Sequence, residues 1–198
     1  MSLLTNKEML EIRNDAYGLQ PILVAEPTPG MQIWVKPMVV AGRRALALLN
    51  RTDVSARVKL DWEKLGLTGV PRSVKDVWNG QNLAPVDTTI SVPAHDLALL
   101  LVDGEDKMPT EYLAKQSNLT GIQAANQPIF ARLQYVNSSG RVVVLPVKST
   151  SGLNTALALP PTGGSETGTV GFILPRGTAD LSFERGPIVL GKLDVYPW

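Results

Sequence analysis

The chain contains a single histidine, His95, and this limits the chemistry that it can support. A Ser-His-Asp arrangement would have to use this side chain, and a site with several histidine ligands is excluded. His95 lies in the segment PAHDLALL, just before an apolar run. A histidine that caps a turn or is partly buried is therefore the interpretation that we favour. Cysteine is absent, which excludes disulfides, thiolate metal sites and cysteine nucleophiles.

Two glycine-rich segments match catalytic motifs only in part. GPIVLGK, at residues 186–192, has the glycine spacing of a phosphate loop, but Leu193 stands where serine or threonine should follow. In GGSETG, at residues 163–168, Thr167 replaces the second glycine of a nucleophile elbow. The 18 acidic residues could include a glycosidase pair, but solvated strand faces explain them more simply.

Aromatic rings are the remaining candidates for ligand binding, because a ring can stack on the apolar face of a pyranose. Three of the four tryptophans lie in alternating strand segments, which favours core positions for Trp34, Trp62 and Trp78. Core and exposed positions are equally expected for three rings near strand ends in the second half. These candidate carbohydrate-binding residues are Tyr135, Tyr196 and Trp198.

Short apolar runs separated by glycine and proline begin near Gln32 and predict an all-β fold. In ARVKLDW, apolar residues from Ala56 to Trp62 alternate with charged ones, which is typical of a half-buried strand. About six strands precede the polar segment DGEDKMP and about seven follow it, which fits two antiparallel sandwiches better than one barrel.

The segment SLLTNKEMLEIRND, at residues 2–15, predicts one short N-terminal helix. Thr5 and Glu8 fit a capping box, and Leu4, Met9 and Ile12 share one helical face. Since the rest of the chain predicts strands, this face has no helical partner. We expect its three side chains to be unusually exposed or to lean loosely on the first sandwich.

Charge and hydropathy argue against two classes of partner. The 19 basic and 18 acidic residues are balanced, so no nucleic acid partner is expected. We find no signal peptide and no apolar run of membrane-spanning length, so no membrane partner is expected and the compartment stays open. Glycosylation sequons begin at Asn50, Asn118 and Asn137 and would matter only in a secreted protein.

The first half of the chain carries an ordered series of motifs. LLTNKEMLEIRNDAYGLQP resembles the junction in family-27 glycoside hydrolases (α-galactosidases and α-N-acetylgalactosaminidases), where the last barrel helix leads into a C-terminal β-sandwich. The segments that continue the resemblance, through residue 102, are IWVKPM, RRALALLNRTD, VKLDWEKLGL, SVKDVWNGQNL and VPAHDLALLLV.

This resemblance implies a parent enzyme that hydrolyses terminal α-galactosides with retention, by two aspartates on an upstream (β/α)8 barrel. Neither aspartate has a counterpart here, and Asp15 matches a junction position outside that pair. The chain thus resembles a non-catalytic C-terminal fragment whose barrel is missing or separate. The family is often secreted or lysosomal. A free-standing protein that binds galactose-containing saccharides, or a structural domain, is the alternative.

The second half resembles carbohydrate-binding modules of the family-35 and family-6 type in EYLAKQSNLTG, LQYVNSSGRVVVLPV and GKLDVYPW. Two glutamates that help such modules to bind calcium are here Leu113 and Lys115, and an expected loop aromatic is Ser165. Asp194 retains one acidic position, and one acidic ligand is a poor cation site. We therefore expect no cofactor, with Asp194 as a weak calcium candidate.

Together these patterns predict two antiparallel β-sandwich domains in tandem after one short helix. Residues 1–20 form the remnant of the barrel helix and the junction, and residues 21–103 form the first sandwich. A linker spans residues 104–109, and a truncated carbohydrate-binding-module-like sandwich spans residues 110–198.

Overall fold

The computed structural model describes residues 6–86, 88–114, 118–122, 127–184 and 187–198. Within these ranges the chain forms sixteen strands, one α-helix and a short 3-10 helix at Glu63–Leu65, which confirms the all-β class. The strands pair in an antiparallel manner throughout the described ladders. The chain divides into two compact units, Met1–Lys107 together with Trp198, and Met108–Pro197.

The first unit consists of helix α1 (Lys7–Arg13) and two sheets. Its strands are β1 (Ile22–Thr28), β2 (Met31–Pro37), β3 (Arg43–Asn50), β4 (Ala56–Lys59), β5 (Ser73–Asp76), β6 (Gln81–Leu83), β7 (Thr89–Val92) and β8 (Leu97–Asp103). One sheet has the order β1-β2-β3-β8-β5-β6, and β4 pairs with β7 to form the other.

The core of the first unit lies on one face of each sheet, because successive side chains of a strand point to opposite sides. Apolar residues such as Leu46, Leu48 and Leu100 are buried on the inner face of the six-stranded sheet. Trp62 is buried in the same cluster, and its Nε1 donates a hydrogen bond to the Pro85 carbonyl (3.0 Å). This burial confirms the predicted inner face of ARVKLDW.

Helix α1 begins after Asn6 and not after the predicted Thr5, which lies outside the described residues. The Asn6 side chain caps the helix, with Oδ1 accepting from the Met9 N–H (2.9 Å). Its Nδ2 also donates to the Val77 carbonyl (2.7 Å), in the turn after β5. One amide therefore caps the helix and ties it to the six-stranded sheet, which an ionised aspartate cannot do because it has no donor.

The apolar side of α1 is in contact with the outer face of that sheet. Met9 and Ile12 pack against a cluster that includes Val77 and Leu101, so they lean on the first sandwich as predicted; Leu4 lies outside the described residues. The expectation of a loose contact is wrong, because polar contacts surround this packing. They join Lys75 to Glu8, Arg43 to Glu11 (2.8 Å) and Lys36 Nζ to the Ile12 carbonyl (2.6 Å).

The edge strand β1 was not predicted, since its sequence ILVAEPT contains a proline. Pro27 cannot donate a ladder hydrogen bond, and such residues occur in edge strands or at bulges. Both conditions hold here: β1 is the outermost strand of its sheet, and its pairing with β2 shifts register twice.

Residues 104–107, predicted as part of a linker, are bonded to the first unit. The Gly104 N–H donates to the Gly42 carbonyl (3.0 Å), and the Lys107 N–H donates to the Gly66 carbonyl (3.1 Å). The Asp106 carboxylate pairs with the buried Arg44 guanidinium (2.8 Å).

The second unit contains two four-stranded sheets. Its strands are β9 (Thr110–Leu113), β10 (Asn118–Thr120), β11 (Ile129–Val136), β12 (Val143–Lys148), β13 (Asn154–Leu159), β14 (Gly168–Leu174), β15 (Asp180–Phe183) and β16 (Val189–Tyr196). The sheet orders are β10-β15-β12-β13 and β14-β11-β16-β9. Buried residues such as Leu181, Phe183 and Leu133 alternate with less buried neighbours, which is typical of sandwich layers.

Candidate functional site

Of the three aromatic residues predicted to bind carbohydrate, Tyr135 and Tyr196 belong to the second unit and Trp198 to the first. Tyr135 lies in β11, where its ring is 3% exposed and packs against Gly168 on the paired strand. Burial raises the pKa of the Tyr135 hydroxyl. Trp198 is half-buried, packs against the core of the first unit, and accepts a hydrogen bond from Lys107 Nζ through its carbonyl (3.2 Å).

Tyr196 and Tyr135 lie on opposite faces of their sheet. Tyr196 pairs with Phe130 and shares its face, and Phe130 is an odd number of residues from Tyr135 along β11, so these two side chains point to opposite faces. The Tyr196 and Phe130 rings stack with centroids 5.4 Å apart, and the Arg132 guanidinium lies 5.1 Å from the Tyr196 ring centroid. Tyr196 is 7% exposed. Sugar binding by the three aromatics stays a prediction, and the burial of both tyrosines counts against stacking on a pyranose.

Asp194, the calcium candidate, lies on β16 beside a cation that the chain itself supplies. Lys192 Nζ is 3.2 Å from Asp194 Oδ1 and is also paired with the Glu111 carboxylate on β9. The hydrogen bond with Glu111 is the main cause that raises the pKa of Lys192. The described residues contain no group of three or more histidine, aspartate or glutamate side chains that could hold a metal ion. Calcium binding at Asp194 stays a prediction.

His95 occupies an exposed turn between β7 and β8, with a positive φ of 53°. Its Nε2 lies 2.9 Å from Asp53 Oδ1, and its N–H donates to the Thr52 carbonyl (3.3 Å). The turn position agrees with the interpretation favoured from the sequence.

Asp15, which matches a junction position, has a structural role. Its carboxylate accepts hydrogen bonds from the Val39 N–H (2.8 Å) and the Tyr17 N–H (3.2 Å). These bonds hold the chain after α1 against the turn after β2. A buried carboxylate with two backbone donors is well placed to orient a segment.

A cleft beside Trp78 was missed by sequence reasoning, which placed this ring in the core. The cleft measures about 510 Å³ and is lined by Trp78, Asp76, Asn79, Ile90, Ser91, Pro93, Asp96, Leu97 and Ala98. Trp78 is only half-buried. The sequence signal that could have indicated it is the group of polar residues around the ring in DVWN, with a second aspartate before β8.

A second cavity, of about 320 Å³, lies between the end of α1 and the outer face of the six-stranded sheet. Trp34, Lys36, Ala47 and Leu99 are among its lining residues. None of the described helices is both long and apolar enough to cross a membrane.

Comparison with known proteins finds similarity in the first unit. Residues 28–102 match the model of the alpha galactosidase C-terminal beta sandwich domain. An alpha-galactosidase from Oryza sativa subsp. japonica is 27% identical over 103 residues, which cover 51% of this chain and 24% of that protein. A probable alpha-galactosidase from Dictyostelium discoideum is 29% identical over 106 residues, which cover 50% of this chain and 27% of that protein.

Among solved structures, alpha-galactosidase I from Mortierella vinacea has a TM-score of 0.46 and 22% identity, covering 52% of this chain and 28% of that one. The Arthrobacter globiformis T6 isomalto-dextranase, complexed with panose, has a TM-score of 0.41 and 19% identity, covering 98% of this chain and 42% of that one. The chain spans about a quarter of the length of the rice and Dictyostelium relatives. In the first unit, residues 28–102 thus match the C-terminal β-sandwich domain of α-galactosidase-like glycoside hydrolases.

Proposed function

We propose that this chain acts as the non-catalytic C-terminal part of a retaining α-galactosidase-like glycoside hydrolase, and that its first unit packs against a (β/α)8 barrel that carries the catalytic residues. The family match of residues 28–102 supports this role. Terminal α-galactosides are the proposed substrate class of the assembled enzyme, since both relatives are named as alpha-galactosidases.

The observation that carries the proposal is a row of apolar side chains on the outer face of the six-stranded sheet. Trp34, Ala47 and Leu99 are cross-strand neighbours on β2, β3 and β8. All three are half-buried, and they line the cavity of about 320 Å³ beside the end of α1. A solvated apolar surface of this kind is suited to packing against another domain.

Helix α1 lies beside this apolar row and contributes to the surface that we propose for docking of the barrel. Its ion pairs with Arg43 and Lys75, and the Asn6 hydrogen bond to Val77, attach it to the sheet. A barrel that met the sheet here would therefore meet a preformed surface, which lowers the ordering cost of association.

Activity of the isolated chain is the first test. We expect no product when the purified chain is incubated with a chromogenic α-galactoside, because the proposed catalytic aspartates lie on the barrel. A non-catalytic role would be contradicted by turnover that exceeds the blank, if this activity copurifies with the chain.

The coding sequence immediately upstream in the source genome is the second test. We expect it to encode a (β/α)8 barrel, in frame or as a neighbouring gene. Coexpression of that barrel with this chain should yield a complex on size-exclusion chromatography.

Ala47→Arg should prevent that complex, since it places a charged side chain in the apolar row. The matched control is Val54→Arg, at a side chain that is 69% exposed in a turn of the same unit. The docking proposal is wrong if the upstream sequence lacks a barrel, or if Ala47→Arg forms the complex as readily as Val54→Arg.

A further inference from the structure

We infer that the cleft beside Trp78 in the first unit binds a neutral saccharide. Both sheets of this unit contribute to it, with Asp76 at the end of β5 and Ser91 in β7 among its lining residues. Its volume of about 510 Å³ falls within the usual range of small-molecule sites.

Trp78 supplies the apolar surface of the cleft. Its indole Nε1 donates to the Leu97 carbonyl (3.2 Å), at the start of β8, and its backbone N–H donates to Asp76 Oδ1 (3.0 Å). These two bonds hold the ring in position before a ligand arrives. A fixed aromatic ring binds the C–H face of a pyranose without a large entropic cost.

Asp76 and Asn79 form an ordered polar group next to this ring. Asp76 Oδ1 accepts from the Asn79 N–H (3.0 Å), and Asp76 Oδ2 accepts from Asn79 Nδ2 (2.8 Å). The Asn79 amide is thereby oriented, and its side-chain oxygen is an acceptor of known direction. Asn79 is exposed, so a ligand can reach it.

Asp96 and Ser91 add hydrogen-bonding groups at the other side of the cleft. Asp96 Oδ1 accepts from the Leu97 N–H (2.7 Å). A carboxylate offers about four lone-pair sites, so one backbone bond leaves most of this capacity for a ligand. Both side chains are exposed.

The balance of these groups selects the class of ligand. Among the described residues, two carboxylates and no cationic side chain line the cleft, which disfavours phosphates and other anions. A saccharide has hydroxyl donors, which match the acceptors of the cleft. It also has an apolar C–H face, which matches the Trp78 ring. A quaternary ammonium ion would use the ring and the carboxylates but would leave the Asn79 amide and the Ser91 hydroxyl without a role.

The test is a titration of the full ¹⁵N-labelled chain followed by two-dimensional NMR. The probes are galactose, melibiose and maltose, with tetramethylammonium as the competing class. We expect the sugars to shift the Trp78 indole N–H and the amides of Asn79 and Ser91. Affinity should be weak, with a Kd on the order of millimolar, because the cleft is open and the ligand is small.

Asp96→Asn should weaken sugar binding about tenfold, since it removes a charge-assisted acceptor, while the amide oxygen can still accept from Leu97. The control is Asp53→Asn, the same change at an exposed residue of this unit outside the cleft. Ser91→Ala, with Ser73→Ala as its control, provides a second pair. Each variant must keep the dispersed spectrum of the folded chain.

Three results would overturn the inference. The first is that the sugars leave the cleft resonances unchanged, whether or not they shift resonances of the second unit. The second is that tetramethylammonium shifts them and the sugars do not. The third is that the two cleft variants bind sugar as tightly as their controls.

Discussion

Asn50 in the first unit and Asn137 in the second close the ends of their strands with the same hydrogen-bond pattern. Both side chains are 0% exposed. In each, Oδ1 accepts from the N–H two residues later, in Thr52 or Ser139, with the hydroxyl of that residue also within hydrogen-bond distance. Each Nδ2 donates to the carbonyl four residues later, at 2.8 Å in both cases.

Each Nδ2 also reaches the carbonyl of the last residue of another strand, Val92 in β7 or Leu159 in β13. The N-x-[ST] triplets at these positions match glycosylation sequons, but in the folded chain they lock a turn to a neighbouring strand. Asn118, which begins the third triplet, is exposed.

Asn50→Asp and Asn137→Asp should each lower the free energy of unfolding of their unit by about 3 kcal/mol. Aspartate lacks the amide donors, so the change leaves buried carbonyls unpaired and places a charge against them. Urea unfolding followed by NMR, with resonances assigned to each unit, measures the effect. Asn118→Asp is the control and should change stability by less than about 0.5 kcal/mol. Equal effects at all three positions would show that the buried hydrogen bonds do not matter.

Asn6→Asp should loosen the attachment of α1 to the sheet although it keeps the helix cap. Aspartate can still accept from the Met9 N–H, but it cannot donate to the Val77 carbonyl. We expect a cost of about 2 kcal/mol, seen as faster hydrogen exchange at the Leu10 amide, which donates to the Asn6 carbonyl. Asn14→Asp, at the exposed C-cap, is the control. Unchanged exchange in Asn6→Asp would contradict the proposed double role of this amide.

The Glu8–Lys75 pair should make the attachment of α1 depend on pH. The hydrogen bond from Lys75, followed by a backbone hydrogen bond, holds the pKa of Glu8 below its ordinary value of 4.5 in the folded chain. A lowered folded-state pKa stabilises the fold above the unfolded value, and this contribution is lost as the pH falls through the folded-state pKa.

Urea midpoints of the wild type and Glu8→Gln should therefore differ most near neutral pH and converge as the pH falls through the lowered folded-state pKa of Glu8. Glu105→Gln, at an exposed residue of the same unit, controls for the loss of a negative charge. A gap between wild type and Glu8→Gln that stays constant across this range would refute the assignment.

Gly42→Ala should be among the most destabilising small substitutions in the first unit. The Gly42 φ is +74°, and an added Cβ would lie 2.2 Å from the Gly104 carbonyl oxygen. Backbone strain and this clash together should cost about 3 kcal/mol or more. Gly69 also has a positive φ, of +63°, but an added Cβ would meet no atom within 4 Å. Thermal unfolding of Gly42→Ala and Gly69→Ala separates the cost of backbone strain from the cost of the clash. Equal losses of stability would exclude a contribution from the clash.

The sequence predicted several features of the fold because they depend on local pattern. Alternation in ARVKLDW correctly indicated that Val58, Leu60 and Trp62 are buried. The strand β1 escaped prediction, since Pro27 is compatible with a strand only at an edge and edges are set by the assembled sheet. The helix was also predicted, but its cap was assigned one residue too early, at Thr5.

By itself, the sequence determined the all-β class, the short helix and the family resemblance of the first unit, because periodicity and ordered motifs depend on neighbouring positions in the chain. Only the tertiary structure decided which side chains meet. It buried Tyr135 and Tyr196, paired Lys192 with Asp194, and opened a cleft beside Trp78. Each of these outcomes depends on strand register and on contacts between residues that are distant in sequence, which no local pattern specifies.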